Sequence, residues 1–185
     1  MHRDEALNLL RKYLDDEKMI KHCLAVEAIM RALARRLGED EELWGLTGLL
    51  HDIDYDVVNR DIKVHGLKAL EILKGLLPDE ALDAIAAHNE LNGYEPKKLN
   101  NRLIHALRAA DHLSGLIIAT ALVMPNKKLS EVRVESLKRK FKSKDFARRV
   151  RRDKIKEIET VGLSLDEFFS IGLEALKSIA KELGL

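Results

Sequence analysis

Six residues of this 185-residue chain carry the types and the order of a metal centre: His22, the adjacent pair His51-Asp52, His65, His88 and Asp111. Each lies on or beside an apolar helical stretch. The doublet ends the run WGLTGLLHD and His88 ends LDAIAAH. An ionisable group at the margin of a core is tolerated only when it is paired or bound to a metal. Imidazole and carboxylate together suit one or two divalent transition ions, Mn, Fe, Co, Ni or Zn. Calcium takes oxygen alone, and Mg fits such a set less well. Taken singly, each residue also reads as a capping Asp or a buried, hydrogen-bonded His. The neighbouring groups have plainer readings. His105 and His112, seven apart, share a helical face about 100° from that of Asp111 and read as supporting residues. Arg108, three before Asp111, is on its side of the helix and either pairs with it or faces a substrate phosphate. Cys23 points away from His22 and reads as core.

The elements that must hold these residues are helical. Ala and Leu dominate, prolines number three and aromatic residues make up 4%, a composition that favours helices. The apolar spacing predicts helices over about 18–37, stopped by Gly38, then 41–51 and 62–77. Pro78-Asp79 opens the next, to about 88. Residues 89–98 read as a loop, and 99–123 as a long buried helix closed by Met124-Pro125-Asn126. Three more follow over 130–142, 145–160 and 166–183, the last opened by the Ser164/Glu167 pair of a capping box. No stretch alternates, so no sheet is expected. The fold class is all-α: a core over 1–124, then a C-terminal helical extension over 125–185 packed on it.

In this order the residues resemble the HD-domain superfamily of metal-dependent phosphohydrolases, whose signature is a His, a His-Asp doublet and a distant Asp inside a long helix. ALRAADHLSG (106–115) is similar to the last motif, with Asp111 as the ligand. The resemblance spans roughly 18–124. It implies a helical bundle in which His22, His51, Asp52 and Asp111 form one metal site. The extra His65 and His88 resemble the two-metal subset, with Asp52 bridging to a second ion. Two-metal relatives often read HDIG where this chain reads HDIDYD. Asp54 and Asp56 are therefore open to several roles: general base, orienter of a water or a Lys, or solvated acid. The implied activity is hydrolysis of a phosphomonoester or phosphodiester, a nucleotide or related small molecule, by metal-activated water. His51, Asp52, Asp54 and Asp56 are the candidate catalytic groups. Two other readings are carried alongside it: an HD-fold di-iron oxygenase, and a non-catalytic nucleotide- or RNA-binding helical module.

Charge and composition bound the partners. The net charge is +1, but residues 138–156 hold eleven Lys/Arg against two Asp, and the remainder is correspondingly acidic. Such a segment is either a solvated face or a footprint for phosphate-rich ligands. Lys128, Lys138 and Lys140, with Arg108, are the candidate substrate-binding cations. Nucleic acid is compatible with the segment but less favoured than a phosphorylated small molecule. Phe141 and Phe146 are expected to anchor it to the core. The single cysteine excludes an internal disulfide, and no apolar run approaches a membrane span. The charged start lacks a signal-peptide core, so a cytoplasmic protein is expected, and a homo-oligomer is compatible. Absent Gln and abundant Lys, Arg and Glu match thermophile usage.

Overall fold

The computed structural model describes residues 1–185, which form ten α-helices, short 3₁₀ turns and no strand. The first helix, α1 (Arg3–Tyr13), falls where the sequence reading places none. Its signal is short: Ala6 and Leu10, one turn apart, and Leu14 just beyond are all buried. Helix α2 (Glu17–Leu37) starts where the Asp16 side chain accepts from the Lys18 amide and stops at Gly38, in the left-handed region at φ 71°. Helix α3 (Glu41–Leu50) is capped by Asp40. The next two are α4 (Leu67–Leu73) and α5 (Asp79–His88), the latter beginning after Pro78. Helix α6 (Asn101–Leu122) is the long buried element and is capped by Asn100. Helices α7 (Val134–Lys142) and α8 (Arg152–Lys156) lead to α9 (Leu165–Ser178), whose cap Ser164 accepts from the Glu167 amide. A last turn, α10 (Ala180–Leu183), ends the chain.

Two expected helices are shorter than their patterns suggest. Residues 62–66 are turn, and only 67–73 of the expected 62–77 is helical. Gly66, at φ 91°, sits at the start of α4, a conformation that costs a glycine little. A Cβ there would lie 3.1 Å from the Asn92 side chain and 3.3 Å from the Ile85 carbonyl. Likewise 144–150 is a series of turns, not the first half of a 145–160 helix. Arg152 accounts for it: its guanidinium donates to the carbonyls of Lys140, Phe141, Ser143, Phe146, Ala147 and Val150. These carbonyls find a partner without a helical ladder, as buried backbone requires.

Packing brings the site elements together at two close approaches. Helix α3 lies so near α2 that a Cβ on Gly48 would be 2.9 Å from Met30 Cγ and 3.1 Å from the Val26 carbonyl. Helix α9 approaches α6 the same way, a Cβ on Gly172 falling 2.6 Å from Leu113 Cδ2. The larger of two apolar clusters runs from α2 and α6 into α7, α8 and α9 without a break, through Leu113, Ile117, Leu137, Ile155 and Phe168. Phe141 and Phe146 pack on it partly buried, and Phe141 meets Phe169 edge-on. No helix is long and apolar enough to cross a membrane.

Candidate metal centre

The centre forms where α2, α6, the end of α3 and the end of α5 converge on Asp52. His22, on α2, places Nε2 3.2 Å from Asp111 Oδ1 on α6 and 3.5 Å from Asp52 Oδ2. His51 Nε2 lies 3.3 Å from Asp52 Oδ1. On the other side, His65 Nε2 is 3.0 Å and His88 Nε2 3.4 Å from the same Oδ1. Two groups of donors result, His22/His51/Asp111 and Asp52/His65/His88, each with its ligand atoms within 4.8 Å of one another. Asp52 lies against both.

The outer nitrogens decide what the inner ones can do. His51 Nδ1 donates to the Gly48 carbonyl at 2.8 Å, and His88 Nδ1 to the Ile85 carbonyl at 2.5 Å. His65 Nδ1 donates to Asp54 Oδ1 at 2.8 Å. Ser114 donates its hydroxyl to the Asp111 carbonyl and leaves its oxygen 3.2 Å from His22 Nδ1 to accept. Each acceptor holds the proton on Nδ1 and leaves an Nε2 lone pair facing inward, the tautomer of a metal-ligating imidazole. His65 and His88 then oppose their Nε2 atoms at 3.1 Å. Two lone pairs at that distance repel unless a cation or proton stands with them. His51 Nε2 is buried with no hydrogen-bond partner, although Asp52 is near. Both features fit a bound metal ion, and the mixed N/O donor set fits a transition metal.

The electrostatics agree. Burial alone would raise the Asp52 and Asp111 carboxyls. The imidazoles outweigh it, His51 chiefly for Asp52 and His22 for Asp111, and hold both below the usual range. Burial would lower His51 and His65, but the carboxylates prevail. His51 is raised by Asp52, and His65 is pushed up to about 10 by Asp52 and Asp54. The pocket therefore holds positive charge beside its carboxylates by any available means, proton or metal.

The remaining expected residues separate into those at the site and those away from it. Asp54 is wholly buried and faces away from the pocket: it accepts from His65 Nδ1, from the Gly66 amide at 2.8 Å and from the Ala69 amide at 3.0 Å. It is a positioning group for His65, and the general-base reading does not fit it. Asp56 pairs with Arg60 at 3.2 Å outside the cluster. Arg108 does not pair with Asp111; it donates to the Ala87 carbonyl and lies 3.3 Å from Glu90, bracing the end of α5 that carries His88. Lys138 pairs with Asp166, Lys140 lies over the Phe146 ring, and neither they nor Lys128 line the pocket above Asp52. His105 pairs with Glu157 at 2.7 Å. Cys23 comes within ligand distance of His51 and Asp52, yet it is fully buried and its thiol is pushed up by burial and the nearby carboxylates. It stays a neutral core group.

That pocket, about 350 Å³ in volume, opens above Asp52, His65, His88 and Asp111. Its cations are Arg60, Arg149, Arg151 and Lys154. The last three belong to the basic segment the sequence singles out, but they lie beyond the lysines chosen from it. His112 also lines the pocket. Its Nδ1 accepts from the Arg151 amide at 3.3 Å, and burial lowers its pKa. Asn89, which composition places only in a loop, donates its side-chain amide to the Ile62 and His65 carbonyls and ties the turn segment to α5.

An all-helical protein with a buried His/Asp cluster able to hold a metal ion is the class this fold and site define. The HD domain family matches residues 19–116, more than half of the chain. The chain belongs to the HD domain family. All six cluster residues fall inside the matched span. No curated protein and no solved structure matches the chain.

Proposed function

We propose that this protein is a metal-dependent phosphohydrolase acting on a phosphomonoester or phosphodiester, a nucleotide or related small molecule. The observation that carries the reading is the set of four imidazoles whose outer nitrogens are occupied and whose Nε2 atoms converge on Asp52 and Asp111. His22, His51, Asp52 and Asp111 would hold one ion, and His65 and His88, with Asp52 shared, a second. A divalent transition ion there lowers the pKa of water and draws charge from a phosphoryl oxygen.

The chain's own residues do the rest. Arg60, Arg149, Arg151 and Lys154 line the pocket above the cluster and draw an anionic ester towards it. His112 accepts the Arg151 amide at Nδ1 and so presents its Nε2 N–H. It lines the pocket and can donate that hydrogen bond to a substrate oxygen. The attacking water gives up a proton and the leaving oxygen takes one, so the net reaction needs no other proton source. In the net reaction water's oxygen bonds to phosphorus as the ester P–O bond breaks.

Full-length protein loaded in turn with Mn, Fe, Co, Ni and Zn is assayed on p-nitrophenyl phosphate and its bis ester, with metal content measured. Metal-dependent release that Asp52→Asn abolishes is expected. Metal-replete protein that turns over no ester in a broad panel would overturn the reading, and substrate-dependent oxygen uptake by the iron form would replace it with an oxygenase.

A further inference from the structure

The family match ends at residue 116, yet one wall of the metal pocket comes from beyond it. Arg149 and Arg151 stand in and just after the 144–150 turns, and Lys154 on α8. Their engagement differs. Lys154 is held between Glu90 at 2.5 Å and Glu157 at 2.7 Å. Arg151 pairs with Asp153 at 2.6 Å and is 3.5 Å from Glu90. Arg60, across the mouth, pairs with Asp56 and Asp16. Arg149 is exposed and has neither ion pair nor hydrogen bond. Apart from the cluster's own Asp52 and Asp111, Glu90 is the one acid among the lining residues, against these four cations.

One phosphoryl group over Asp52 would leave Arg149, the lining cation without an ion pair, unused. Its charge would be met by the metal ions at the base of the pocket, while Arg149 and Arg151 stand exposed beside it. The Arg149 and Arg151 guanidiniums beside a filled anion site are suited to a second anion covalently tied to the first, since arginine binds phosphate oxygens in pairs. The lining also includes two apolar side chains, Ile62 and Leu91, which are 51% and 61% exposed. At about 350 Å³ the pocket is of small-molecule size. We propose that the substrate carries at least two phosphoryl groups in a row, the second gripped by Arg149 and Arg151, with its non-phosphate part against Ile62 and Leu91. The proposal rests on the reading of the Asp52 cluster as a phosphoester-hydrolysing centre.

The test compares two probes that cannot be hydrolysed, methylphosphonate with one phosphoryl group and methylenediphosphonate with two. Binding to the metal-loaded full chain is measured by titration calorimetry for the wild type, Arg149→Ala/Arg151→Ala and Lys138→Ala. Both arginines are exposed, so the double variant should fold. The wild type should prefer the diphosphonate by about ten-fold or more, one charge-assisted contact's worth. That preference should fall towards one in the arginine variant and survive in Lys138→Ala. Chelation of the metal is common to all three proteins, so the difference between them reads the side chains. Equal affinity for both probes in the wild type, or an undiminished preference in the arginine variant, overturns the proposal. Hydrolysis of p-nitrophenyl phosphate by the same preparations is scored separately. Turnover without diphosphonate preference sinks the second-phosphoryl site alone; preference without any turnover sinks the hydrolase reading alone.

Discussion

Both oxygens of Asp54 are engaged, one by His65 Nδ1 and the other by the Gly66 and Ala69 amides. Asparagine there would turn an NH₂ group towards one of these donors and lose the charge that strengthens all three bonds. Asp54→Asn should therefore cost about 2 kcal/mol or more of stability and weaken metal binding at His65/His88 by about 10–100-fold. Denaturant unfolding and metal titration would show both; wild-type metal affinity would remove Asp54 from the site. Asp56→Ala, which breaks only an exposed pair with Arg60, should change stability by no more than about 0.5 kcal/mol and leave metal content alone. The sequence made the six cluster residues legible because their types recur at the margins of apolar runs. It left the roles of Asp54 and Asp56 open, because those depend on partners up to fifteen residues away and on which acid faces inward. The substrate cations were misplaced for a related reason. The basic segment is legible as charge, but only folding shows that Lys138 meets Asp166 while Arg149 meets nothing.

Helices α2 and α3 set the distance between His22 and His51, whose rings lie 5.2 Å apart. Gly48 permits that spacing and also supplies the carbonyl that holds His51 Nδ1. A valine there would meet the Val26 carbonyl and Glu27 Cα, backbone atoms that cannot swing aside. Gly48→Val should cost about 1–3 kcal/mol and lower metal occupancy together with it. Unchanged occupancy in a destabilised protein would separate the packing from the site. On the far side, Glu157 accepts from Lys154 and His105 and so ties the segment after α8 to α6. Burial raises its carboxyl, but Lys154 and His105 outweigh that and leave it below the usual value. A depressed folded pKa gives stability that is present above the unfolded value, about 4.3, and is lost as pH falls through the folded one. Glu157→Gln should flatten the acid limb of the stability curve below about pH 4.5. An acid limb as steep as the wild type's would count against the pair. Helices α2, α5 and α6 were readable from apolar spacing and caps. The turns at 62–66 and 144–150 were not, since they are held by Asp54 and by the Arg152 guanidinium, side chains acting on distant backbone.

At the scale of the whole molecule, the C-terminal helices contribute to two things that sequence reading treats apart, the core and the pocket. Leu113 and Ile117 of α6 are fully buried in an apolar cluster that includes Leu137, Ile155, Phe168 and Leu173. The same stretch of chain carries Arg149, Arg151 and Lys154 to the rim above Asp52. The net charge of +1 thus conceals a division by location: carboxylates at the base of the site, cations on its rim. Removing residues 125–185 would strip both. Helix α6 would keep Asp111 but expose a row of leucine and isoleucine, each costing about 1.5–3 kcal/mol when returned to water. That is comparable to the whole stability of a domain of this size once several are summed. The 1–124 fragment should therefore be expanded or aggregated, with little hydrogen-exchange protection in α6 and no stoichiometric metal. A fragment that unfolds cooperatively and binds metal as the full chain does would show instead that the metal-binding core folds alone and that the extension serves only the substrate.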